Sequence, residues 1–463
     1  MNQANPRQYG LLILIMGVYI SLTWLNSASI PLSKAPDEYV HFLYGRFIAE
    51  HHRLPTTAQE RQQAGYKSDQ PPLYYGLLAL SIGWVDTSNP PHLKMTWDSP
   101  QRKLVDLVLP RAMIVRTEDE TWPYAGVVLA WMSGRWLSIF LGVLTIILVY
   151  GIALEIFPGN FALATGAAGV VAFMPRFTFI SAVLSDETLL GVIISFYFWL
   201  LVKLVKGQTG FWHVALIGLA MGLALITKYS AVVLPLEFLL LLLILIWTKK
   251  LKWPVGLRKG AIACGLLALT SAGWFVFQSW YFNQIDELGW VSGIIRPLIA
   301  GDETEADSTT FIIASSLTGT SETAETTEET EGSIWDWSYK FFTEFWQVEV
   351  YGKPPLYPPF YNLLLMGGVC GAAGLALIWD RSGNQGQSRL WLTVLVWHFF
   401  VFIPIPLMRY ILTGRIHDTA QARYLMFSAA PAIGILLAWG TAKLTGPKYQ
   451  RYGLVGLVVL MVA

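Results

Sequence analysis

Cysteine is almost missing from this chain of 463 residues: only Cys264 and Cys370 are present, and both sit inside apolar runs. That excludes a disulfide framework and a cysteine-rich metal site, and leaves both as small residues of a core or a lipid-facing surface. Charge is scarce as well. Asp, Glu, Lys and Arg make up 14% of the residues, against about 25% in an ordinary soluble domain. The net charge of +1 by itself says nothing about nucleic acid, which is not an expected partner; only the distribution of the charges is informative. Apolar and aromatic residues are plentiful instead: 54% of the chain is hydrophobic, with 20 Trp, 24 Phe and 20 Tyr. Several runs approach the roughly 20 residues that a helix needs to cross about 30 Å of hydrocarbon. The expectation is an all-α polytopic membrane protein.

Spans are expected at about 9–28, 126–156, 160–182, 187–205, 211–227, 229–247, 259–281, 359–379, 389–412 and 424–441, with a last run from about 452, some eleven helices in one domain over 1–463. The first run is followed by Ser-Ile-Pro-Leu-Ser-Lys rather than a small-residue cleavage site, so it reads as a retained helix. With the N-terminus in the cytoplasm, the inner connections carry Lys203 and Lys206, then Lys249, Lys250, Lys252, Arg258 and Lys259, then Arg381, then Lys443, Lys448 and Arg451. This is the positive-inside pattern repeated on four connections. The last run holds 12 residues, about 18 Å of helix, so the sequence reads as stopping inside a helix.

Two large outer segments remain, 29–125 and 282–358. In the first, residues 70–84 include an apolar stretch too short to span, which suits a juxtamembrane helix lying along the interface. In the second, residues 303–331 are rich in Thr, Ser and Glu and read as disordered, whereas Trp335 to Trp346 form an aromatic stretch suited to the interface.

The charges that remain gather on the outer connections: Asp37, Glu38 and His41; Arg176, Asp186 and Glu187; Lys228; Arg409, Arg415, His417, Asp418 and Arg423. Polar groups cost several kcal/mol each if left unpaired in hydrocarbon, so an interface or a wet cavity is expected for them. Acids arriving on two connections and bases on two others can bind a phosphate while leaving a carboxylate for proton chemistry. Taken singly, each has a plainer reading. Asp37-Glu38 and Asp186-Glu187 could cap helices, Arg409 and Arg415 could reach to headgroups, and His41 could be a satisfied core residue.

The motifs resemble those of the GT-C superfamily of polyprenyl-phosphate-sugar glycosyltransferases, which includes protein O-mannosyltransferases and lipid A aminoarabinose transferases. Pro36-Asp37-Glu38-Tyr39-Val40-His41-Phe42 resembles the Asp-Glu motif opening the first outer loop, and Gln70-Pro71-Pro72-Leu73-Tyr74-Tyr75 resembles a segment of the same loop. Met174-Pro175-Arg176 through Ser185-Asp186-Glu187 is similar to the second acidic motif, and Leu225-Ile226-Thr227-Lys228-Tyr229 to the Thr-Lys turn. Gln421-Ala422-Arg423-Tyr424-Leu425 through Pro431 is similar to the segment opening a late span. Residues 303–331 match no motif of that superfamily.

The resemblance implies a GT-C-like helical bundle with the active site on the outer face of a bacterial or archaeal plasma membrane. It implies inverting transfer of a hexosyl or pentosyl group from a polyprenyl-phosphate donor to a hydroxyl or amine of a glycan, lipid or protein acceptor, with no nucleotide or cytosolic cofactor. Asp37 would be the general base, with Glu38 in reserve. Asp186 and Glu187 would position acceptor or sugar, together with His41 and Gln70, while Arg423 and then Lys228 would hold the phosphate. Tyr74, Tyr75 and Tyr424 would line the prenyl or sugar path. A divalent metal is a further possibility, with Asp37, Glu38, His41 and Asp186 as its oxygen and nitrogen donors. Other readings stay open: a transporter or flippase of lipid-linked sugars, which would need ionisable groups near mid-membrane such as Arg135, Glu155 and Glu237; a ligase or polymerase using polyprenyl-diphosphate donors; or a structural subunit.

Overall fold

The computed structural model describes residues 7–88, 94–95, 114–282, 333–344, 368, 386–414, 416–421 and 423–462. The expected span at 359–379 apart from residue 368, the segment 303–331 and Arg415 lie outside the described residues, as do the side chains of His417, Asp418, Arg423 and Tyr424. The fold is all-α. The helices are α1 Arg7–Ser29, α2 Glu38–His51, α3 Ala58–Ala64, α4 Leu73–Ile82, α5 Gly126–Ile156, α6 Phe161–Phe173, α7 Pro175–Ser181, α8 Asp186–Val205, α9 Phe211–Leu225, α10 Val233–Trp247 and α11 Trp253–Phe282. They continue with α12 Ile334–Glu344, α13 Gly386–Phe400, α14 Pro404–Thr413, α15 Ile416–Thr419, α16 Arg423–Met426 and α17 Ala430–Val462. Among the described residues the one strand pairing is a two-residue antiparallel bridge, with Lys94 opposite Val115 and Met95 opposite Ile114.

Six helical segments among the described residues are long and apolar enough to cross a membrane: Tyr9–Ser29, Gly126–Ile156, Asp186–Val205, Tyr229–Trp247, Trp253–Trp280 and Ser388–Leu412. Their outward faces carry large apolar residues such as Leu11, Ile13, Trp247 and Leu269, the dress of a lipid-facing surface. The region expected to span at 160–182 is two helices, α6 and α7, bent by 63°. Pro175 explains the bend. It disfavours helical backbone at the residue before it, and Met174 accordingly sits at φ −63°, ψ 120°. A second break lies inside α17, where Gly446 adopts φ 72° immediately before Pro447.

The short helices α2, α3 and α4 pack on one another and against α5, burying Phe42, Tyr44, Tyr74, Tyr75, Leu78 and Trp131. At the opposite end of α5, Glu155 pairs with Lys206 from beyond α8 at 2.7 Å. Helices α9 and α11 approach so closely that a side chain on Gly218 would run into the backbone of Ala263, and one on Gly222 into Thr270. In a bilayer, such backbone contact supplies the packing that hydrophobicity cannot. Gly218→Val is therefore expected to separate α9 from α11 at a cost of roughly 1–3 kcal/mol, seen as a lowered melting temperature of the detergent-solubilised protein.

Candidate active site

Asp37 precedes α2 in a left-handed conformation, φ 59°, that few non-glycine residues adopt. Its side chain does not cap α2. Tyr66 donates to its Oδ1 at 2.7 Å and the Lys67 ammonium faces its Oδ2 at 3.5 Å. Holding Asp37 in this backbone state turns its carboxylate away from the helix end and towards these partners, so the helix-cap reading does not describe it. Lys67 is buried and also lies over the Tyr66 ring, 5.4 Å from its centre. Nothing in the sequence around Lys67 singles it out, because the same outer segment carries many other cations, Lys34, Arg53 and Arg61 among them.

Glu38 has a different environment. Both of its carboxylate oxygens are taken by Arg135 of α5, which donates from Nε at 2.7 Å and from Nη2 at 2.8 Å, and the Leu184 amide donates to Oε1 at 3.2 Å. Arg135 also donates to the carbonyls of Ser27, Ile30 and Pro31 at 2.6, 2.7 and 3.2 Å. Both residues are 0% exposed. This pair ties the end of α1, the start of α2, the first third of α5 and the turn before α8 into one knot.

His41, one turn into α2, brings its Nδ1 to 2.9 Å from the Tyr75 hydroxyl and stacks on that ring at 5.7 Å and 22°, with Tyr74 edge-on. Burial pushes its pKa down to about 4; Lys67 and Lys228 add to the effect, and Asp186 and Asp37 oppose it. His41 is thus a neutral imidazole with two acids and two ammonium groups within electrostatic reach.

The second acidic motif opens α8. Ser185 is the cap, accepting from the Glu187 amide at 3.3 Å, so Asp186 and Glu187 are not needed for that task. Both meet Lys228, at 3.1 and 2.8 Å. Lys228 lies in the turn between α9 and α10, and the same turn accepts at Ile226 a hydrogen bond from the Leu73 amide at 3.0 Å. That bond joins the Gln70-Pro71-Pro72 turn, in which Gln70 is buried, to the Thr-Lys turn.

Arg176 pairs with Glu344 of α12 at 3.3 Å, while Trp337 on the same helix donates to Thr419 at 3.0 Å. So α12 bridges the second acidic motif and the segment leading to α16. Arg423 and Tyr424 begin α16, and Phe427 just beyond it stacks on Phe177 of α7 at 4.7 Å. Arg409 is half-buried on α14. For a metal the donor set does not fit: each of Asp37, Asp186 and Glu187 already faces a lysine, and among the described residues no three His, Cys, Asp or Glu side chains form a ligand group.

Residues 115–274 match the family described as dolichyl-phosphate-mannose-protein mannosyltransferase. The match agrees with the resemblance that the motifs carry. No curated protein matches the chain. Among solved structures, ArnT from Cupriavidus metallidurans bound to undecaprenyl phosphate is similar with a TM-score of 0.42 and 13% identity, over 96% of this chain and 78% of that one. Archaeal oligosaccharyltransferase AglB from Archaeoglobus fulgidus, in complex with an inhibitory peptide and a dolichol-phosphate, is similar with a TM-score of 0.49 and 12% identity, over 94% of this chain and 50% of that one.

Two outcomes test this geometry. Arg135→Met should leave Glu38 as an uncompensated buried charge, costing about 3–5 kcal/mol and lowering the melting temperature sharply. His41 binds its proton more weakly folded than unfolded, so it withdraws stability as pH falls from its ordinary value near 6.5 towards 4. His41→Gln should flatten melting temperature against pH across that window, and an unchanged slope would remove His41 as the cause.

Proposed function

We propose that this chain is an inverting glycosyltransferase that takes a sugar from a polyprenyl phosphate at the outer face of a plasma membrane. The observation that carries the reading is the gathering of Asp37, Lys67, Asp186 and Lys228, from four separate stretches of chain, around the neutral imidazole of His41. The family match over 115–274 supports it, because that stretch contains Arg135, Asp186, Glu187 and Lys228.

In this reading Asp37 is the base. The acceptor hydroxyl or amine gives its proton to the Asp37 carboxylate while its lone pair forms a bond to the anomeric carbon from the face opposite the lipid. The bond from that carbon to the phosphate oxygen breaks, and its electron pair leaves with the lipid phosphate. Glu38, with both oxygens held by Arg135, orients the start of α2 rather than taking a proton. Asp186 and Glu187, anchored by Lys228, present acceptor oxygens to sugar hydroxyls. Tyr75 and His41 form the wall beside them, with Tyr74 and Gln70. Arg423 stabilises the charge growing on the leaving phosphate, a gain only for a group that binds the transition state better than the ground state.

Transport is the less favoured alternative. The three ionisable groups within spans that it would employ are each paired: Arg135 with Glu38, Glu155 with Lys206 and Glu237 with His398.

The test is sugar transfer by protein reconstituted in liposomes, with a panel of undecaprenyl- and dolichyl-phosphate sugars as donors and cell-envelope extract as acceptor, read as release of lipid phosphate. Asp37→Asn should lower the rate by about 10²- to 10⁴-fold, the usual worth of a positioned base. Arg423→Ala should lower it chiefly through kcat, as expected of a group that binds the transition state better than the ground state. Full activity in Asp37→Asn would eliminate the proposed base, and labelled sugar crossing the bilayer without transfer would favour transport.

A further inference from the structure

Well away from the acidic motifs, a second pair of ionisable side chains is buried inside the membrane-crossing region. His398 of α13 brings Nδ1 to 2.8 Å from Oε1 of Glu237 on α10. They are 0% and 2% exposed. The imidazole is clamped between two rings, stacked on Phe198 of α8 at 4.0 Å and 20° and meeting Phe402 edge-on at 5.4 Å and 88°. Tyr197, the neighbour of Phe198, donates to the Leu234 carbonyl of α10 at 3.0 Å and so fixes α8 against α10 beside the pair. Glu237 and His398 lie near the middles of the spans Tyr229–Trp247 and Ser388–Leu412. Along α10, Glu237 is on the order of 15 Å from Lys228 at 1.5 to 2 Å per residue, beyond direct contact with any reacting atom.

Such a pair is costly. Glu237 Oε2 and His398 Nε2 are buried with no hydrogen-bond partner among the described residues. Two apolar side chains of similar volume would pack here at no such penalty. The two side chains bond to one another, and without His398 the Glu237 carboxyl keeps only the neighbouring Tyr197 hydroxyl. The bond therefore accepts only one rotation and one depth of α13 against α8 and α10, where apolar surfaces would allow neighbouring registers. Fixing register is the best-attested use of a buried polar contact.

We propose that Glu237 and His398 are a positioning pair, setting the register of the C-terminal helices against the family-matched stretch and hence the place of α16, the helix that Arg423 opens, beside α7. Glu237 belongs to residues 115–274; His398 does not. From His398 the chain runs through α14 and α15 to the start of α16 at Arg423. A shift of one residue in α13 moves it by about 1.5 Å, and a misplacement of about 1 Å costs around 10²-fold where a charge must meet a transition state. The role assigned to Arg423 rests on the glycosyltransferase reading; the pairing itself does not.

The experiment compares Glu237→Leu, His398→Leu, the double variant and Glu237→Gln, measuring melting temperature in detergent and lipid-phosphate release in liposomes with the donor panel above. Each single leucine variant should lose at least tenfold in kcat with donor KM within about twofold, and should melt lower. The double variant should recover the melting temperature but not kcat, because leucines pack without restoring register. Glu237→Gln, which keeps an uncharged hydrogen bond to Nδ1, should stay within about threefold of the parent. A double variant that regains kcat along with its melting temperature, or a Glu237→Gln as impaired as Glu237→Leu, would overturn the positioning role. Additive melting losses in the double variant would overturn the pairing, and this readout needs no activity. A parent protein that transfers no sugar, with the melting cycle still coupled, would instead overturn the glycosyltransferase reading alone.

Discussion

The bond between Glu38 and Arg135 is what the rest of the site hangs on. A guanidinium and a carboxylate, both without solvent, satisfy one another in a two-point contact, and the guanidinium spends its remaining donors on three carbonyls at the end of α1. Burying charge in this way is tolerable only when nearly every donor and acceptor is used. The geometry is therefore unforgiving: α1, α2, α5 and the turn before α8 meet in one arrangement. Asp37 inherits its place from that arrangement. Its neighbour in sequence is pinned, its own backbone is turned to positive φ, and its carboxylate is directed at Tyr66 and Lys67.

Around this knot the charges alternate. Asp37 faces Lys67, and Asp186 and Glu187 face Lys228, with a neutral histidine between the two groups. In a weakly polar setting each carboxylate needs a cation nearby to exist as an anion, and each ammonium needs a carboxylate. A surface assembled this way can receive a phosphorylated, hydroxyl-rich molecule by exchanging internal contacts for contacts with it.

Much of the architecture was legible in sequence. Long apolar runs of known length report spans because hydrocarbon leaves the backbone no alternative to helix. The expectations for α1, α5, α8 and the span Tyr229–Trp247 fall within a few residues of the observed helices. The bend at Met174 was less legible, since composition stays apolar through it and only Pro175 marks it. In the site, residue types in the acidic motifs and the Thr-Lys turn could be read, but their partners could not. Arg135 looked like a lone charge within a span until Glu38 was seen beside it, 97 residues away in sequence. Lys67 passed as an ordinary loop lysine because nothing local marks it as buried.

From sequence alone came the membrane class, the long spans and the stretches in which charge gathers, because these follow from the cost of placing polar backbone and charge in hydrocarbon, a cost that each segment meets by itself. Only the tertiary structure distinguished Asp37 from Glu38. The two are adjacent, chemically alike and equally suited to proton transfer. What separates them is which cation lies opposite, and in a helical bundle that depends on contacts between segments far apart in the chain. The Asp-Glu motif was visible as a pair; the fold divided it into an anchor and a carboxylate facing Tyr66 and Lys67.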